Sequence, residues 1–430
     1  MTLVSRLAIL SPESHQGATV VKEQTLRDLL TTQARRFERW VFLEYGDQQF
    51  SYGAVDERTD RAATGLNRLG LRPGDRIALL MGNRPEFIFF FLGAPKIGLI
   101  PVPLDPSYSR DEICPILEHS GALAVVTEAR FRGLRDLVPG VRHWIEIDTP
   151  SFAAPPFQSL TRGPILGFWP DLDPEESAVI SYSKTRSGSW KSVVLSHRNL
   201  VSNCVQMVQP FRINETDRFL CATPLTSVAA AVLLILAPWA SGGGCILREA
   251  YSPQVLHDIS ERRATVIAGM PRLYEMLASA PEFGESDLSS LRLAICSSGP
   301  VGEKMLLQFE QQHDALIVEG YGPVEATCLC CANPYTGVRK PGSLGLPLPG
   351  TECRIIDREG RELSPGERGE IVVRGPSIMK GYYRDPDASA NALRGGWLHT
   401  GDFGYTDSDG YYYLAEEKSA TNCTNYTKNK

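Results

Sequence analysis

The segment from residue 181 to 200 combines residue types that can bind a phosphate group. An apolar strand leads into a loop with hydroxyl, glycine and basic side chains, and an amphipathic helix follows from about Ser196. Backbone N–H groups and hydroxyls in such a loop can surround phosphate oxygens, and Lys191 can neutralise their charge. Taken alone, this pattern is more typical of a basic surface loop, so its meaning depends on the other motifs.

Three cysteines, Cys328, Cys330 and Cys331, could supply a nucleophilic thiol. A thiol with a lowered pKa can accept an acyl group, whereas a buried cysteine is normally an inert core residue. No histidine lies beside them in the sequence, so a general base would have to come from elsewhere in the fold. The ten cysteines include no pair of CxxC units and no set of Cys and His residues at zinc-binding spacing, so they do not indicate a zinc site.

Apolar segments alternate with amphipathic ones, which indicates an α/β fold with buried parallel strands. Helices are predicted at 25–37, 54–69 and 86–97. Strands are predicted at 76–81, 99–104, 122–127, 178–181, 219–223, 244–247, 265–268, 293–297 and 315–319. A proline-rich connection and a change to short β segments divide the chain. The predicted units are a first α/β subdomain at 1–170, a second at 171–337, a β-rich subdomain at 338–415 and a polar tail at 416–430.

The composition is that of an ordinary soluble globular protein. The 430 residues are 43% hydrophobic and 22% charged, with a net charge of −6. No long basic run is present, which disfavours binding to a nucleic-acid backbone and favours a small-molecule or protein partner. The N-terminus has no apolar signal core, and the most apolar stretch, 228–239, is too short to cross a membrane. We therefore expect a cytoplasmic location.

Five segments resemble, in the right order, motifs of the adenylate-forming superfamily, which includes acyl- and aryl-CoA synthetases, peptide-synthetase adenylation domains and luciferases. The loop at 181–200 is similar to the phosphate loop of that family, and the other matching segments are 319–325, 369–383, 397–402 and 409–413. The resemblance covers about residues 25–415. It implies two doubly wound α/β subdomains plus a smaller distorted β-barrel, which together form the N-terminal core of these enzymes.

The resemblance also implies roles for individual residues. Nucleotide binding is implied for Gly188, Lys191, Gly320, Tyr321 and Asp402, with Tyr321 against adenine and Asp402 on the ribose hydroxyls. A catalytic role and magnesium binding are implied for Glu325. The acyl pocket is expected to include Ser227, Val228, Ser298 and Gly299. Because no charged residue stands out in that region, an apolar acyl or aryl group is the expected substrate.

The chain departs from the family pattern at positions that contact the nucleotide. Thr185 replaces a loop glycine, Val324 replaces a phosphate-binding threonine, and Ser227 replaces a pocket histidine. Glu416 and Glu417 stand where the family has Gly-Arg, and we expect the C-terminal lid domain with its catalytic lysine to be absent. Each hydrogen bond to a charged group contributes about 1.5–3 kcal/mol, so the combined losses predict impaired or lost adenylation. ATP and magnesium are therefore doubtful cofactors at this stage, and a CoA thioester is the expected acyl source.

Three functions remain open. In the first, the protein passes a pre-activated acyl or aryl group from a CoA thioester to a carrier protein without ATP, and Cys330 or Cys331 is a candidate acceptor of that group. The second is an ATP-dependent acid–CoA or acid–carrier-protein ligase with a trimmed lid, which the retained Lys191, Tyr321 and Glu325 support. The third is a non-catalytic acyl-binding or scaffold protein. His197 is expected to be a structural residue at a helix start.

Overall fold

Polar caps define where two of the helices begin. The computed structural model describes residues 24–148, 160–184, 188–252, 254–280, 283–284, 286–297, 299, 301–313 and 315–415. Thr25 and Asp28 form a capping box at the first helix, and Ser196 and Asn199 form another. Each box satisfies backbone N–H groups that have no partner within the helix. The α-helices among these residues are α1 (Leu26–Arg36), α2 (Tyr52–Arg68), α3 (Pro85–Gly93), α4 (Arg110–Ser120), α5 (His197–Val208), α6 (Val228–Ala231), α7 (Ala237–Ser241), α8 (Val255–Arg262), α9 (Pro271–Ser279), α10 (Glu303–His313) and α11 (Pro386–Ala392).

The strands form two largely parallel sheets and two antiparallel ones. The strands are β1 (Val41–Tyr45), β2 (Gln48–Ser51), β3 (Arg76–Leu80), β4 (Ile100–Leu104), β5 (Ala124–Thr127), β6 (His143–Glu146), β7 (Ser177–Lys184), β8 (Trp190–Ser196), β9 (Arg218–Cys221), β10 (Gly244–Leu247), β11 (Val266–Gly269), β12 (Leu293–Cys296), β13 (Leu316–Tyr321), β14 (Cys331–Ala332), β15 (Leu346–Pro347), β16 (Glu352–Ile356), β17 (Gly369–Arg374), β18 (Gly381–Tyr382), β19 (Leu398–Thr406) and β20 (Tyr412–Leu414). The sheet orders are β15-β14-β13-β12-β11-β9-β10-β1-β2, β4-β3-β5-β6, β18-β8-β7 and β16-β17-β19-β20.

The parallel strands lie in the core, as their continuous apolar sequences predicted. Every residue of β4, β5, β11 and β12 is buried, because helices cover both faces of these sheets. Sheet membership does not follow chain order: β1 pairs in parallel with β10, with Leu43 opposite Cys245. The N-terminal hairpin β1–β2 therefore completes the larger sheet. The predicted domain boundaries stay predictions.

The hairpin of β7 and β8 differs from the sequence-based expectation. The sequence predicted a loop before the helix that begins at about Ser196, but Trp190–Ser196 forms strand β8, which pairs antiparallel with β7. Lys191 lies opposite Ser183 in that pairing. Val193 and Leu195 are buried in the core and anchor the strand. Lys191 is thus held on a strand instead of a flexible loop, while Thr185 lies outside the described residues.

A π turn interrupts the helical segment that follows β9. Helix α6 continues into a π turn at Val232–Leu236 and then into α7. All five residues of this turn are buried. Single π turns inside helices are uncommon and are frequent at functional sites. Among the described residues, no helix is both long and apolar enough to span a membrane. The predicted polar tail, with Glu416 and Glu417, lies outside the described residues.

Candidate active site

A cavity of about 300 Å³ opens where the central parallel strands end. Strands β9, β11 and β12 run in the same direction, so their carboxyl ends meet at one edge of the sheet. Thr223, Gly269 and Ser297 lie at these ends and line the cavity, together with Val324 after β13. Ligands of open α/β sheets bind at this edge, because the strand ends and their loops leave a crevice there. The fold therefore presents a ligand cavity at the expected position.

Asn83 fixes one wall of this cavity. Its amide nitrogen donates to the carbonyl oxygens of Thr223 at 2.8 Å and Arg248 at 2.9 Å. Its side-chain oxygen accepts from the backbone N–H of Leu225 at 2.9 Å. Asn83 is only 6% exposed, so these bonds satisfy groups that water cannot reach. The residue ties the loop after β3 to the loop after β9.

The predicted acyl-pocket residues divide between the cavity and the core. Ser227 lines the cavity, as do Ala229 and Ala230. Val228 is buried and is not among the lining residues, because the helical turn directs it into the core. Gly299 does not line the cavity either, although its neighbour Ser297 does. Ser298 lies outside the described residues.

Lys191 and Glu325 form an ion pair beside the cavity. Lys191 Nζ donates to Glu325 Oε1 at 2.8 Å, and Tyr382 Oη donates to the same oxygen at 2.7 Å. Burial raises the pKa of Glu325, but the hydrogen bond and charge of Lys191 outweigh it and hold that pKa below its ordinary value. The carboxylate is therefore ionised at neutral pH. Both bonds end on Oε1, so Oε2 can accept another ligand, and a carboxylate oxygen suits magnesium.

Tyr321 and Asp402 are brought together from positions 81 residues apart. Tyr321 Oη donates to Asp402 Oδ2 at 2.7 Å. Burial, with the nearby Cys330 and Asp402, raises the pKa of Tyr321, so its hydroxyl stays protonated and donates. The bond orients a half-buried carboxylate toward the end of β13. An aromatic ring and an oriented carboxylate are suited to an adenine base and ribose hydroxyls.

The motif glycines allow a backbone conformation or a close contact that a residue with a Cβ would hinder. Gly188 has a φ of +86° and an exposed position, which explains why a residue without a Cβ stands there. A Cβ at Gly320 would lie 3.0 Å from Leu329, so this glycine allows close packing. At Gly322 a Cβ would lie 1.9 Å from the carbonyl oxygen of Cys328. Gly322 therefore permits the tight turn that places Glu325.

Cys330 and Cys331 have the properties of core thiols. Both side chains are fully buried, and neither lines the cavity. Cys330 Sγ donates to the carbonyl oxygen of Tyr321 at 3.3 Å. Hydrogen bonding within a cluster with Cys353, together with burial, raises the pKa of Cys331 well above its ordinary value, and the pKa of Cys330 is raised as well. Neither thiol is placed to attack a molecule in the cavity.

His197 lies at the first position of α5, inside the core. Its Nδ1 accepts a hydrogen bond from the backbone N–H of Leu26 at 3.3 Å. Burial, with a smaller contribution from the charge of Arg27, lowers the pKa of His197 to about 4. The imidazole is therefore neutral at physiological pH and links α1 to α5. This contact accords with the structural role expected from the sequence.

Comparison with known proteins identifies the family to which this chain belongs. The model of the family described as AMP-binding enzyme matches residues 30–383. This chain belongs to that family. Feruloyl-CoA synthase from Amycolatopsis sp. is 31% identical over 402 residues, which are 92% of this chain and 79% of that protein. The expected resemblance to adenylate-forming acyl- and aryl-CoA ligases is confirmed.

Solved structures of AMP-binding enzymes share this fold. ATP-bound MatB from Rhodopseudomonas palustris is 26% identical, with a TM-score of 0.84 over 91% of this chain and 78% of that chain. The inhibitor-bound N-terminal domain of FACL13 from Mycobacterium tuberculosis is 25% identical, with a TM-score of 0.84 over 91% of this chain and 99% of that chain. The predicted α/β fold of an adenylate-forming N-terminal core is confirmed.

The expectation that ATP is a doubtful cofactor is wrong. The matching family is one of AMP-binding enzymes, and the related MatB structure contains ATP. That expectation gave too much weight to the individual hydrogen bonds that the substituted loop residues would lose. The chain retains two polar pairs among the predicted nucleotide residues, Lys191 with Glu325 and Tyr321 with Asp402.

Several lining residues of this AMP-binding enzyme were missed in the sequence. Asp105 and Tyr108 reach the cavity from the loop after β4, and Tyr251 and Met270 reach it from loops after β10 and β11. Asp105 and the exposed Lys184 add charged groups to the lining from outside the pocket region in which the sequence offered none. Their position in the sequence could have identified them, because each of these loops follows a predicted parallel strand.

Proposed function

We propose that this protein activates a compact apolar or aromatic carboxylic acid with ATP. The carboxylate oxygen of the acid attacks the α-phosphorus of ATP, the bond to the β-phosphate oxygen breaks, and pyrophosphate leaves. The observation that carries the proposal is the pairing of Lys191 with Glu325 and of Tyr321 with Asp402 on the segment that supplies Val324 to the strand-end cavity. Val324 of the cavity wall adjoins Glu325 in the sequence, which supports a continuous site for acid and nucleotide.

The side chains are suited to distinct tasks in this reaction. Asp402 is positioned to accept hydrogen bonds from the ribose, and the Tyr321 ring is suited to pack against adenine. Lys191 is suited to neutralise phosphate charge once its bond to Glu325 opens. Glu325 would hold magnesium, which supplies charge neutralisation for the phosphates. Fixed donors and charges of this kind stabilise developing charge without reorganisation.

The cavity supports a small substrate. Its volume of about 300 Å³ is at the lower end of the range of about 300–1,000 Å³ for ligand pockets. Ala229, Ala230, Leu233 and Leu234 give it an apolar floor, and Tyr108 adds an aromatic face. The related feruloyl-CoA synthase is named for an aromatic acid. We therefore expect aromatic and short-chain acids to be better substrates than long-chain fatty acids.

The acceptor of the activated acyl group is proposed to be the thiol of CoA or of a carrier protein. The thiol sulfur attacks the acyl carbon, and AMP leaves with the bonding electrons. A cytoplasmic location is part of the proposal. All nine described cysteines are free thiols, which supports a reducing compartment.

Pyrophosphate exchange into ATP tests the proposal. The purified chain is incubated with magnesium, labelled pyrophosphate and a panel of aromatic, short-chain and long-chain acids. We expect acid-dependent exchange that is highest with aromatic acids and about 10- to 100-fold lower in Asp402→Asn. Absence of exchange by folded protein, with acyl transfer from CoA thioesters observed in a parallel assay, would favour the ATP-independent transfer that the sequence first suggested.

A further inference from the structure

Three cysteines that are separated in the sequence meet behind the nucleotide-binding edge. Cys330 and Cys331 lie at the start of β14, and Cys353 lies on β16. Their sulfur atoms all lie within 4.8 Å of one another, and the Cys331 and Cys353 sulfurs are 3.4 Å apart. We propose that these three cysteines bind one thiophilic metal ion of the zinc(II) or copper(I) type. This inference is independent of the proposed acid activation.

The sulfur geometry is close to that of a metal thiolate site. Zinc–sulfur bonds are about 2.3 Å long, so three sulfurs around one ion lie about 3.8–4.0 Å apart. The Cys331–Cys353 separation of 3.4 Å is slightly shorter than this, and no pair of the three sulfurs is more than 4.8 Å apart. Thiolates select soft cations, whereas magnesium and calcium prefer oxygen ligands. Small side-chain rotations would complete the site without moving the strands.

Metal binding to the group is expected to release protons. Sulfur binds a metal ion as thiolate, so a divalent ion that binds all three sulfurs displaces the thiol protons that they carry. Proton release is a direct signature of this reaction.

The surroundings give the ion an entry path and a tight enclosure. Cys330 and Cys331 are fully buried, whereas Cys353 is half-buried, so access is from the side of β16. Tyr412 Oη donates to the carbonyl oxygen of Cys353 at 2.5 Å and fixes that strand. Arg354, which follows Cys353 in the sequence, forms an ion pair with Glu362 at 3.3 Å, so the charge of Arg354 is partly offset.

Titration of the reduced, metal-free chain with cadmium(II) and zinc(II) tests the site. We expect one ion per chain by native mass spectrometry, a sulfur-to-cadmium charge-transfer absorption, and proton release on binding in calorimetry with buffers of different ionisation enthalpy. Cys353→Ser should lower the affinity about 100-fold or more. Cys328→Ser is the matched control, because Cys328 is also buried but lies outside the group.

Two further results decide the proposal if Cys353→Ser fails to fold. Copper(I) titration of the wild-type chain shows whether the monovalent ion replaces zinc, and either ion at one per chain supports the site. The cadmium absorption of the wild-type chain must have the intensity of three thiolate ligands. Weak or non-stoichiometric binding by the wild-type chain, or equal binding by Cys353→Ser and Cys328→Ser, would overturn the proposal.

Discussion

The carboxyl group of Glu325 is ionised, although burial alone would favour its neutral form. Its side chain is 10% exposed, and the donors from Lys191 and Tyr382 help to keep it ionised. Lys191 is 42% exposed, so solvent screens the pair and its contribution to folding is small. The pair is therefore better suited to exchange partners on ligand binding than to stabilise the fold.

Glu325→Gln should reduce catalysis more than stability. The amide cannot provide a carboxylate for magnesium, so we expect pyrophosphate exchange to fall about 10- to 100-fold. The free energy of unfolding should change by about 1 kcal/mol or less. Glu352→Gln is the control, since Glu352 pairs with Arg374 on an exposed strand away from the cavity. Equal exchange rates in both variants would contradict the role of Glu325.

His197 should make stability depend on pH. Its pKa in the folded state is about 4, below the ordinary value of 6.5, so protonation favours the unfolded chain. Its contribution is fully present above pH 6.5 and is lost as the pH falls from 6.5 toward 4. Between pH 7 and pH 5 the loss should be about 2 kcal/mol, measured by urea unfolding. His197→Gln should show a shallower pH dependence, and an unchanged slope would show that other groups cause it.

The connection between β13 and β14 positions the residues that are proposed to bind the nucleotide. It begins after Tyr321, makes a short 3-10 turn at Val324–Ala326 and returns at Cys331. Thr327 adopts a φ of +73°, which is uncommon for a β-branched residue, and its hydroxyl donates to the carbonyl oxygen of Ser377 at 2.6 Å. The surrounding contacts thus hold a strained backbone next to Glu325.

Gly322→Ala should disrupt this connection. The new Cβ would lie 1.9 Å from the backbone of Cys328, so the turn must open, and we expect a loss of about 3 kcal/mol in unfolding free energy. Gly133→Ala provides the comparison, because its Cβ would meet nothing within 4 Å and its φ is not positive. Gly133→Ala should unfold at or slightly above the wild-type denaturant concentration. Equal stability of the two variants would refute the packing argument.

The sequence predicted the buried elements better than the exposed or paired ones. Continuous apolar runs such as Val266–Gly269 were recognised because both faces of these strands are covered. Strand β8 was missed because its apolar run, Val193 to Leu195, is short and lies within a segment rich in loop-forming residues. The hairpin β1–β2 was missed although its two-residue Gly46-Asp47 turn is a local hairpin signal, whereas the pairing of β1 with β10, about 200 residues away, leaves no such signal.

The same limit applies to the candidate site. Lys191, Tyr321, Glu325 and Asp402 were found because each lies in a local motif, and the structure brings them into the pairs described above. Tyr382 and Cys353 were not found, since each acquires its role through contact with a residue far away in the chain. Spacing of cysteines along a sequence cannot reveal a cluster assembled by a sheet.

At the scale of the whole molecule, Asn83 joins two sheets across the cavity. It belongs to the loop after β3, whereas its three bonds reach loops that follow β9 and β10. The hairpin β1–β2 makes a second connection of this kind by extending the larger sheet. The cavity wall therefore depends on contacts between segments that are distant in the chain.

Asn83→Ala should affect both stability and acid binding. Its removal leaves two buried carbonyl oxygens and one N–H group without their partner, so we expect a loss of about 2–3 kcal/mol in unfolding free energy. The KM for the acid should rise more than kcat falls, because the wall is loosened while Lys191 and Glu325 are untouched. Asn391→Ala, at an exposed position, is the control. A lower kcat at constant KM would argue against a role in the wall.

A change in the length of the π turn at Val232–Leu236 would change which side chains form the cavity floor. A π turn contains one more residue than the α-helical turn that could replace it. Deleting one residue would rotate Ala229 and Ala230 by about 100° about the helix axis relative to Trp239. Different side chains would then face the acid, although none had been substituted. A change in the length of one helix can thus exchange one acid for another in descendants of this chain.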